Sequence, residues 1–161
     1  MAKWQLSNQS LKNREGVHPT LIKICDRALQ LSHVDFGIPK LGGVRTFEQQ
    51  RKLFNEKKTL CDGRFKISPH QKGYALDFFA LINGKASWHP PALAMVACAF
   101  LQAATELNEE CVELDWGGLW KAKKKENNVP YGWDCGHIQI ARENYAVLDT
   151  VPANGEINTQ K

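Results

Sequence analysis

The sequence lacks the features of a secreted, disulfide-stabilised or membrane-spanning protein. Its five cysteines are odd in number and widely spaced, without any C-x-x-C pair. This argues against a disulfide framework or a thiolate zinc knuckle and indicates synthesis in a reducing cytoplasm. The amino-terminal residues contain no apolar segment with a cleavage site, so we expect no secretory signal. No uninterrupted apolar run of about 18 residues occurs, and we expect no membrane association.

Strong charge bias is also missing. The chain has 161 residues and a formal net charge of +4. This length fits one domain over residues 1–161, with a core at about 18–142 and a polar tail after it. The basic run Lys121 to Lys125 could favour an anionic partner such as cell-wall polymer or nucleic acid, or be a solvated loop. No aromatic residues interleave with this basic run as in single-strand binders, so we expect no nucleic-acid partner. We also expect a monomer.

Three segments have helical patterns. Apolar residues recur at helical spacing from Pro19 to Ser32, and proline suits the first turn of a helix. Thr46 and Gln49 form a capping box, which predicts a helix from Thr46 to about Lys57. Two prolines open a third helix, predicted over Pro90 to Leu107, with an apolar stripe along one face.

Short strands follow the second helix. Tyr74 to Ile82 is rich in aromatic and aliphatic residues and is stopped by an Asn-Gly hairpin signal, with Asp77 among the residues of one face. Val112 to Asp115 and Gly136 to Ala141 are the other predicted strands, and a long loop from Trp116 to Trp133 lies between them. These elements predict an α+β fold in which helices pack on one side of a small antiparallel sheet.

The chemistry is concentrated in two segments, Ser68 to Asp77 and Trp133 to His137. Each supplies a histidine, His70 and His137, and the first also supplies the carboxylate of Asp77. Two histidines and a carboxylate can bind a zinc ion and leave a position open for water, as catalytic zinc sites do. If the strands are neighbours, Asp77 and His137 project from the same sheet face, which puts the zinc site at the sheet.

Asp134 lies three residues before His137 and is a candidate general base. A carboxylate there could take a proton from zinc-activated water and return it to a leaving amine. Two histidines and one carboxylate also describe non-heme iron oxygenases. Those sites commonly place the first histidine and the acid two residues apart, whereas His70 and Asp77 are seven apart, which counts against iron.

These motifs resemble a known family. S-x-H-x-x-G-x-A-x-D followed by D-x-G-H resembles the zinc peptidases of the D-Ala-D-Ala metallopeptidase group, and most of all the phage endolysins that cut L-alanyl-D-glutamate bonds in peptidoglycan. The resemblance covers about Asp35 to Ile140. The family's G-x-R-[ST] stretch matches Gly43 to Thr46, and it implies that Arg45 faces the metal and stabilises the oxyanion of the tetrahedral intermediate.

Three further residues are candidates for substrate binding. Ser68 matches the family's serine and either binds a substrate carboxylate or ties the loop. Gln49 either contacts substrate or only caps its helix. Trp133 either lines the cleft or packs in the core.

The resemblance implies a zinc-dependent peptidase that cleaves the peptidoglycan stem peptide, as an L-alanyl-D-glutamate endopeptidase and phage endolysin. Within the same chemistry the alternative is a D-Ala-D-Ala carboxypeptidase. A non-catalytic zinc-containing wall-binding module is the alternative from another class, and Asp134 counts against it because a binder needs no base. We expect the protein to be made in the host cytoplasm and to act on the wall after release by another protein.

Overall fold

The computed structural model describes residues 3–107, 112–120 and 134–149 of the chain. Helices α1 to α5 cover Asn8–Asn13, Pro19–Leu31, Phe47–Asn55, Pro90–Leu107 and Tyr145–Leu148. Strands β1 to β6 cover Asp35–Gly37, Ala75–Asp77, Phe79–Ile82, Lys85–Ser87, Leu114–Trp116 and His137–Ile140. Three 3₁₀ turns connect them, over Pro69–Lys72, Gly117–Leu119 and Arg142–Asn144.

The predicted helices are confirmed, and so is the α+β class. Thr46 caps α3 through the capping box that the sequence predicts. Helix α1 was missed because it is only 6 residues long and has no apolar periodicity; its signal is the cap at Ser7, whose side chain accepts from the Ser10 N–H at 3.1 Å. The predicted strand Val112 to Asp115 is shifted to Leu114–Trp116.

The strands form two antiparallel sheets rather than the single predicted one. One sheet has the order β1-β3-β4 and the other β2-β6-β5. The predicted strand Tyr74 to Ile82 divides between them at Phe78, whose N–H donates to the Gly136 carbonyl at 2.7 Å. Burial nevertheless alternates through the division, as the sequence predicts: Leu76, Phe78 and Ala80 are buried, while Asp77 is only partly so.

The core lies between the long helices and the sheets. Helix α4 packs against α2 and also contacts β3 and β5. The rings of Phe36, Phe78 and Phe100 form its centre, with centroids 5.3 to 6.4 Å apart. Among the described helices, α4 alone is long and apolar enough to cross a membrane by length and composition. Its apolar stripe is buried against this core. The core helix of a folded domain can pass the same test of length and composition.

A tight turn positions the first histidine. The 3₁₀ turn Pro69–Lys72 starts at Ser68 and ends at Gly73, which has φ +75°. This left-handed conformation suits glycine. A Cβ atom on Gly73 would also lie 2.9 Å from the Gly16 carbonyl oxygen. Glycine is therefore required here for both backbone conformation and space.

Replacing Gly73 with alanine should therefore destabilise the protein more than the same change at a free turn. Gly84 is a matched control, because its φ is +73° and nothing lies within 4 Å of a Cβ built on it. Gly84→Ala should cost about 1 kcal/mol for the backbone conformation alone, and Gly73→Ala at least about 1 kcal/mol more. Denaturant unfolding with excess chelator measures both, and equal losses would show that the contact with Gly16 is unimportant.

Candidate metal centre and active site

The pairing of β2 with β6 brings two candidate ligands together. Asp77 lies directly opposite His137 in this antiparallel register. His70 reaches the same point from the 3₁₀ turn. Its Nε2 lies 3.2 Å from Asp77 Oδ1 and 3.3 Å from His137 Nδ1, and His137 Nδ1 lies 2.8 Å from Asp77 Oδ1. The structure thus brings the three predicted ligands together at the sheet, with both histidines buried.

These separations fit a tetrahedral metal ion. Bonds of about 2.0–2.2 Å to nitrogen and oxygen put tetrahedral ligand atoms about 3.3–3.5 Å apart. Both distances from His70 Nε2, 3.2 and 3.3 Å, are close to that value. The 2.8 Å distance between His137 and Asp77 is shorter, so one side would open by about half an ångström on metal binding.

Hydrogen bonds on the far side of each ring fix the tautomers. His70 Nδ1–H donates to the Gly43 carbonyl at 2.8 Å, because a carbonyl oxygen can only accept. His137 Nε2–H donates to Gln139 Oε1 at 3.0 Å. The lone pairs of His70 Nε2 and His137 Nδ1 therefore face each other and an Asp77 oxygen. In these tautomers neither neutral ring places a proton at the centre, and a cation could satisfy all three groups.

The electrostatics of the site follow from burial and close contact. Burial lowers the pKa of His70, despite the neighbouring Asp77 carboxylate. Burial acts in the same direction on His137, but its contact with Asp77 outweighs this and raises its pKa. Burial would raise the pKa of Asp77, yet the two histidines hold it far below the usual value. Asp77 is therefore ionised and ready to bind a cation at neutral pH.

Arg45 supports the carboxylate of Asp77. Its Nη2 donates to Asp77 Oδ2 at 2.5 Å, the oxygen that does not face the histidines, and its Nε donates to the Leu41 carbonyl at 2.7 Å. Its backbone N–H donates to the His70 carbonyl at 3.2 Å. Leu41 has φ 63°, a left-handed backbone conformation that non-glycine residues uncommonly adopt. The turn at Leu41 supplies the carbonyl that holds the guanidinium against Asp77.

Asp134 lies in the same cleft without belonging to the ligand triad. Its carbonyl accepts the His137 N–H at 3.1 Å, and a Cβ on Gly117 would overlap that carbonyl, so the backbone here is closely packed. Burial raises the pKa of its carboxyl group, and the charge of Asp77 acts in the same direction. A carboxylate with raised proton affinity beside a metal centre is suited to accept a proton; the role of general base stays a prediction.

Two of the three candidate substrate residues have structural roles. Ser68 is buried in the cleft wall, and its Oγ accepts the His70 N–H at 3.4 Å, so it ties the turn. The Gln49 side chain accepts the Thr46 N–H at 2.9 Å and lines a groove beside α1 rather than the cleft. These positions favour the capping role for both residues, and substrate contact by either stays a prediction. Trp133 lies outside the described residues, as does the basic run Lys121 to Lys125.

Sequence reasoning missed several contributors to the site. Gln139 accepts a hydrogen bond from His137 Nε2, and the two-residue spacing, which puts both on one face of a strand, is the signal that could have identified it. Trp120 also lines the cleft, with its ring centroid 5.1 Å from that of His137. The cleft has a volume of about 390 Å³ and lies over the metal centre. It can hold a few residues of a peptide, with the candidate metal ligands, Asp134 and Arg45 in its wall.

Comparison with known proteins finds relatives that are peptidases. The family described as phage L-alanyl-D-glutamate peptidase matches residues 2–141. An L-alanyl-D-glutamate peptidase of Escherichia phage T5 is 34% identical over 141 residues, which are 85% of this chain and 98% of that protein. The crystal structure of the Serratia marcescens L-Ala D-Glu endopeptidase ChiX has a TM-score of 0.70 at 29% identity, covering 88% of this chain and 93% of that one.

The match also corrects the extent of the resemblance. The motifs suggested similarity over Asp35 to Ile140 only, whereas the family match begins at residue 2 and so includes α1 and α2. Helix α1 contributes to the fold there: Asn13 Nδ2 donates to the Ile38 carbonyl at 2.8 Å, and Ser10 Oγ accepts the Ile38 N–H at 3.1 Å. Over most of its length, the chain belongs to the phage L-alanyl-D-glutamate peptidase family.

Proposed function

We propose that this protein is a zinc-dependent endopeptidase that cleaves the L-alanyl-D-glutamate bond of the peptidoglycan stem peptide and acts as a phage endolysin in host lysis. The observation that carries the proposal is the convergence of lone pairs from His70, Asp77 and His137 at one point of a cleft, with both ring protons directed away. Family membership supplies the substrate class.

Zinc is the metal that suits this donor set. Two neutral imidazoles and one carboxylate at tetrahedral separations are a common catalytic zinc arrangement. When bound, the ion would polarise the scissile carbonyl and make water easier to ionise. His70 and His137 would hold it through Nε2 and Nδ1, and Asp77 through Oδ1, each already oriented by a hydrogen bond from its other side.

Asp134 would move the proton. Its carboxylate would accept a proton from the attacking water and then donate it to the leaving amine. Burial favours this exchange by raising the pKa of the group. A base in the cleft also supports hydrolysis over the alternative of a non-catalytic wall-binding module, and the two relatives compared above, both named for the L-Ala-D-Glu bond, support the endopeptidase over a D-Ala-D-Ala carboxypeptidase.

Arg45 would donate hydrogen bonds both to the candidate metal ligand Asp77 and to the oxyanion. Its Nε and Nη2 are engaged by Leu41 and Asp77. Nη1 has no hydrogen-bond partner among the described residues, which leaves that nitrogen for the developing negative charge. A fixed donor to an oxyanion is worth about 3 kcal/mol of barrier.

The cellular route also belongs to this proposal. No disulfide links the cysteines within the described residues, which is compatible with synthesis in a reducing cytoplasm. We propose that the enzyme is made in the host cytoplasm as a monomer and reaches the wall after another protein releases it.

The metal site is tested by removing one ligand at a time. The purified protein should hold one zinc ion, and His70→Ala or His137→Ala should abolish binding, because two remaining ligands cannot complete the site. Elemental analysis after dialysis measures this. His33→Ala is the control, since His33 is exposed and lies outside the triad. Wild-type zinc in both ligand variants would refute the assignment.

Asp134→Asn should separate proton transfer from metal binding. The amide keeps the size of the side chain but cannot act as a base, so zinc content and the unfolding transition should stay at wild-type levels while kcat falls at least about 100-fold. Peptide hydrolysis followed by mass spectrometry, with zinc measured on the same sample, is the assay. Loss of zinc instead would make Asp134 a ligand and leave the reaction without an assigned base.

Arg45→Ala should lower kcat more than it raises KM when zinc is saturating, because an oxyanion contact strengthens in the transition state. Zinc affinity should also fall about 10- to 100-fold, since Asp77 loses the group that orients it. Arg45→Lys should recover only part of each loss, because an ammonium cannot reproduce the guanidinium fork. A raised KM with unchanged kcat would instead make Arg45 a ground-state binding residue.

A further inference from the structure

The described side chains that line the cleft include more cations than acids. The charged side chains that line it are Arg45, Lys58, Lys66, Arg142, Asp77 and Asp134. Both acids belong to the centre, Asp77 as a candidate ligand and Asp134 as the candidate base. The cations therefore exceed the acids in the described cleft wall before any metal charge is added.

Two of these cations are already paired. Arg45 contacts Asp77, and Lys58 Nζ lies 2.8 Å from the Glu56 carboxylate. Lys66 and Arg142 differ, because neither forms an ion pair with a described residue, and both side chains are exposed. An unpaired cation on open surface is ordinary, but two in the wall of one cleft are available to a ligand of opposite charge.

Lys66 stands on a rigid part of the chain. Asp62 Oδ1 accepts the backbone N–H groups of Arg64, Phe65 and Lys66 at 2.9 to 3.0 Å. The Lys66 carbonyl in turn accepts the N–H of Gly63 at 3.2 Å. This small loop is tied to the histidine turn, because Gln71 Nε2 donates to the Gly63 carbonyl at 2.9 Å. The position of Lys66 is thereby fixed relative to His70.

Arg142 lies close in sequence to β6, the strand that carries the candidate ligand His137. It follows β6 after one residue, Ala141, whose N–H donates to the Glu113 carbonyl at 2.9 Å. His137 opens the same strand. The two cations, neither of which has an ion-pair partner among the described residues, are thus each attached to an element that carries a candidate metal ligand.

The substrate of the proposed function supplies a matching charge. A glutamyl residue inside a peptide uses its amine and one of its two carboxyl groups in the chain, so its second carboxylate remains free. In an L-alanyl-D-glutamate bond this carboxylate lies within a few bonds of the scissile carbonyl. It must therefore enter the cleft whenever that carbonyl reaches the metal centre.

We propose that Lys66 and Arg142 bind the free carboxylate of the substrate's glutamyl residue and so select acidic peptides over amidated ones. The inference rests on the proposed function, because it takes the glutamyl residue from the family's substrate. Charge-assisted hydrogen bonds from an ammonium and a guanidinium to one carboxylate would orient the peptide across the metal centre. An amide at that position would lose the charge and leave both cations without a partner.

The test is a binding experiment that needs no turnover. Two N-acetyl-L-alanyl-D-glutamyl peptides are compared, identical except that the free glutamyl carboxylate is converted to a carboxamide in one. Calorimetry on zinc-loaded Asp134→Asn protein should show about tenfold tighter binding of the carboxylate peptide. Adding Lys66→Met or Arg142→Gln should reduce this ratio, and the two together should bring it to within about twofold of one.

Matched variants separate this role from general electrostatics. Arg64→Gln removes the same charge from the same loop, but Arg64 lies over the Phe65 ring at 5.8 Å and does not line the cleft, so the ratio should stay near tenfold. Lys66→Arg and Arg142→Lys should retain most of it. A ratio near one in the parent protein, or a tenfold ratio that persists in the double variant, would overturn the inference.

The two proposals fail in different ways. If the wild-type enzyme cleaved neither peptide, this would count against the peptidase function. The binding ratio is measured without cleavage and decides the role of Lys66 and Arg142 by itself.

Discussion

The antiparallel pairing of β2 with β6 is the constraint on which the site depends. Asp77 stands opposite His137 in this register, and side chains on a strand alternate between its two faces. A slip of one residue in the pairing of the two strands would put Asp77 and His137 on opposite faces of the sheet, and no change of rotamer could restore the site. Ile138 and Ile140, fully buried on the other face of β6, oppose such a slip because it would expose them to water.

The candidate metal centre places three groups with lone pairs against one another, an arrangement that a cation would stabilise. A buried carboxylate and two imidazoles normally need partners for each lone pair. Here the imidazole N–H groups donate to the Gly43 carbonyl and to Gln139, and Arg45 donates to one oxygen of Asp77. The remaining lone pairs of the three side chains face one another. Zinc binding would therefore add its free energy to folding, as any ligand does that binds only the folded state. The same fixed orientation lowers the reorganisation that metal binding requires.

Local features were predictable from sequence, and tertiary ones were not. The capping box of Thr46, the left-handed turn at Gly73 and the buried stripes of α2 and α4 follow from rules that act within a few residues. The ligand triad was found because its spacing resembled a family. The division of Tyr74 to Ile82 between two sheets depends on which strands lie alongside, and the contact of Arg45 with Asp77 joins residues 32 positions apart. Periodicity contains no information about either.

The change of sheet at Phe78 has a consequence for how the protein moves. Asp77 and Phe78 share one peptide unit, yet the first faces the metal centre and the second lies among the rings of the core. Opening the centre by displacing β2 would pull an aromatic side chain out of a close-packed interior. The centre and the core therefore belong to one cooperative unit, and amide exchange at Phe78 should be as slow as in the helices. Divergent relatives would then have to vary core volume and site geometry together.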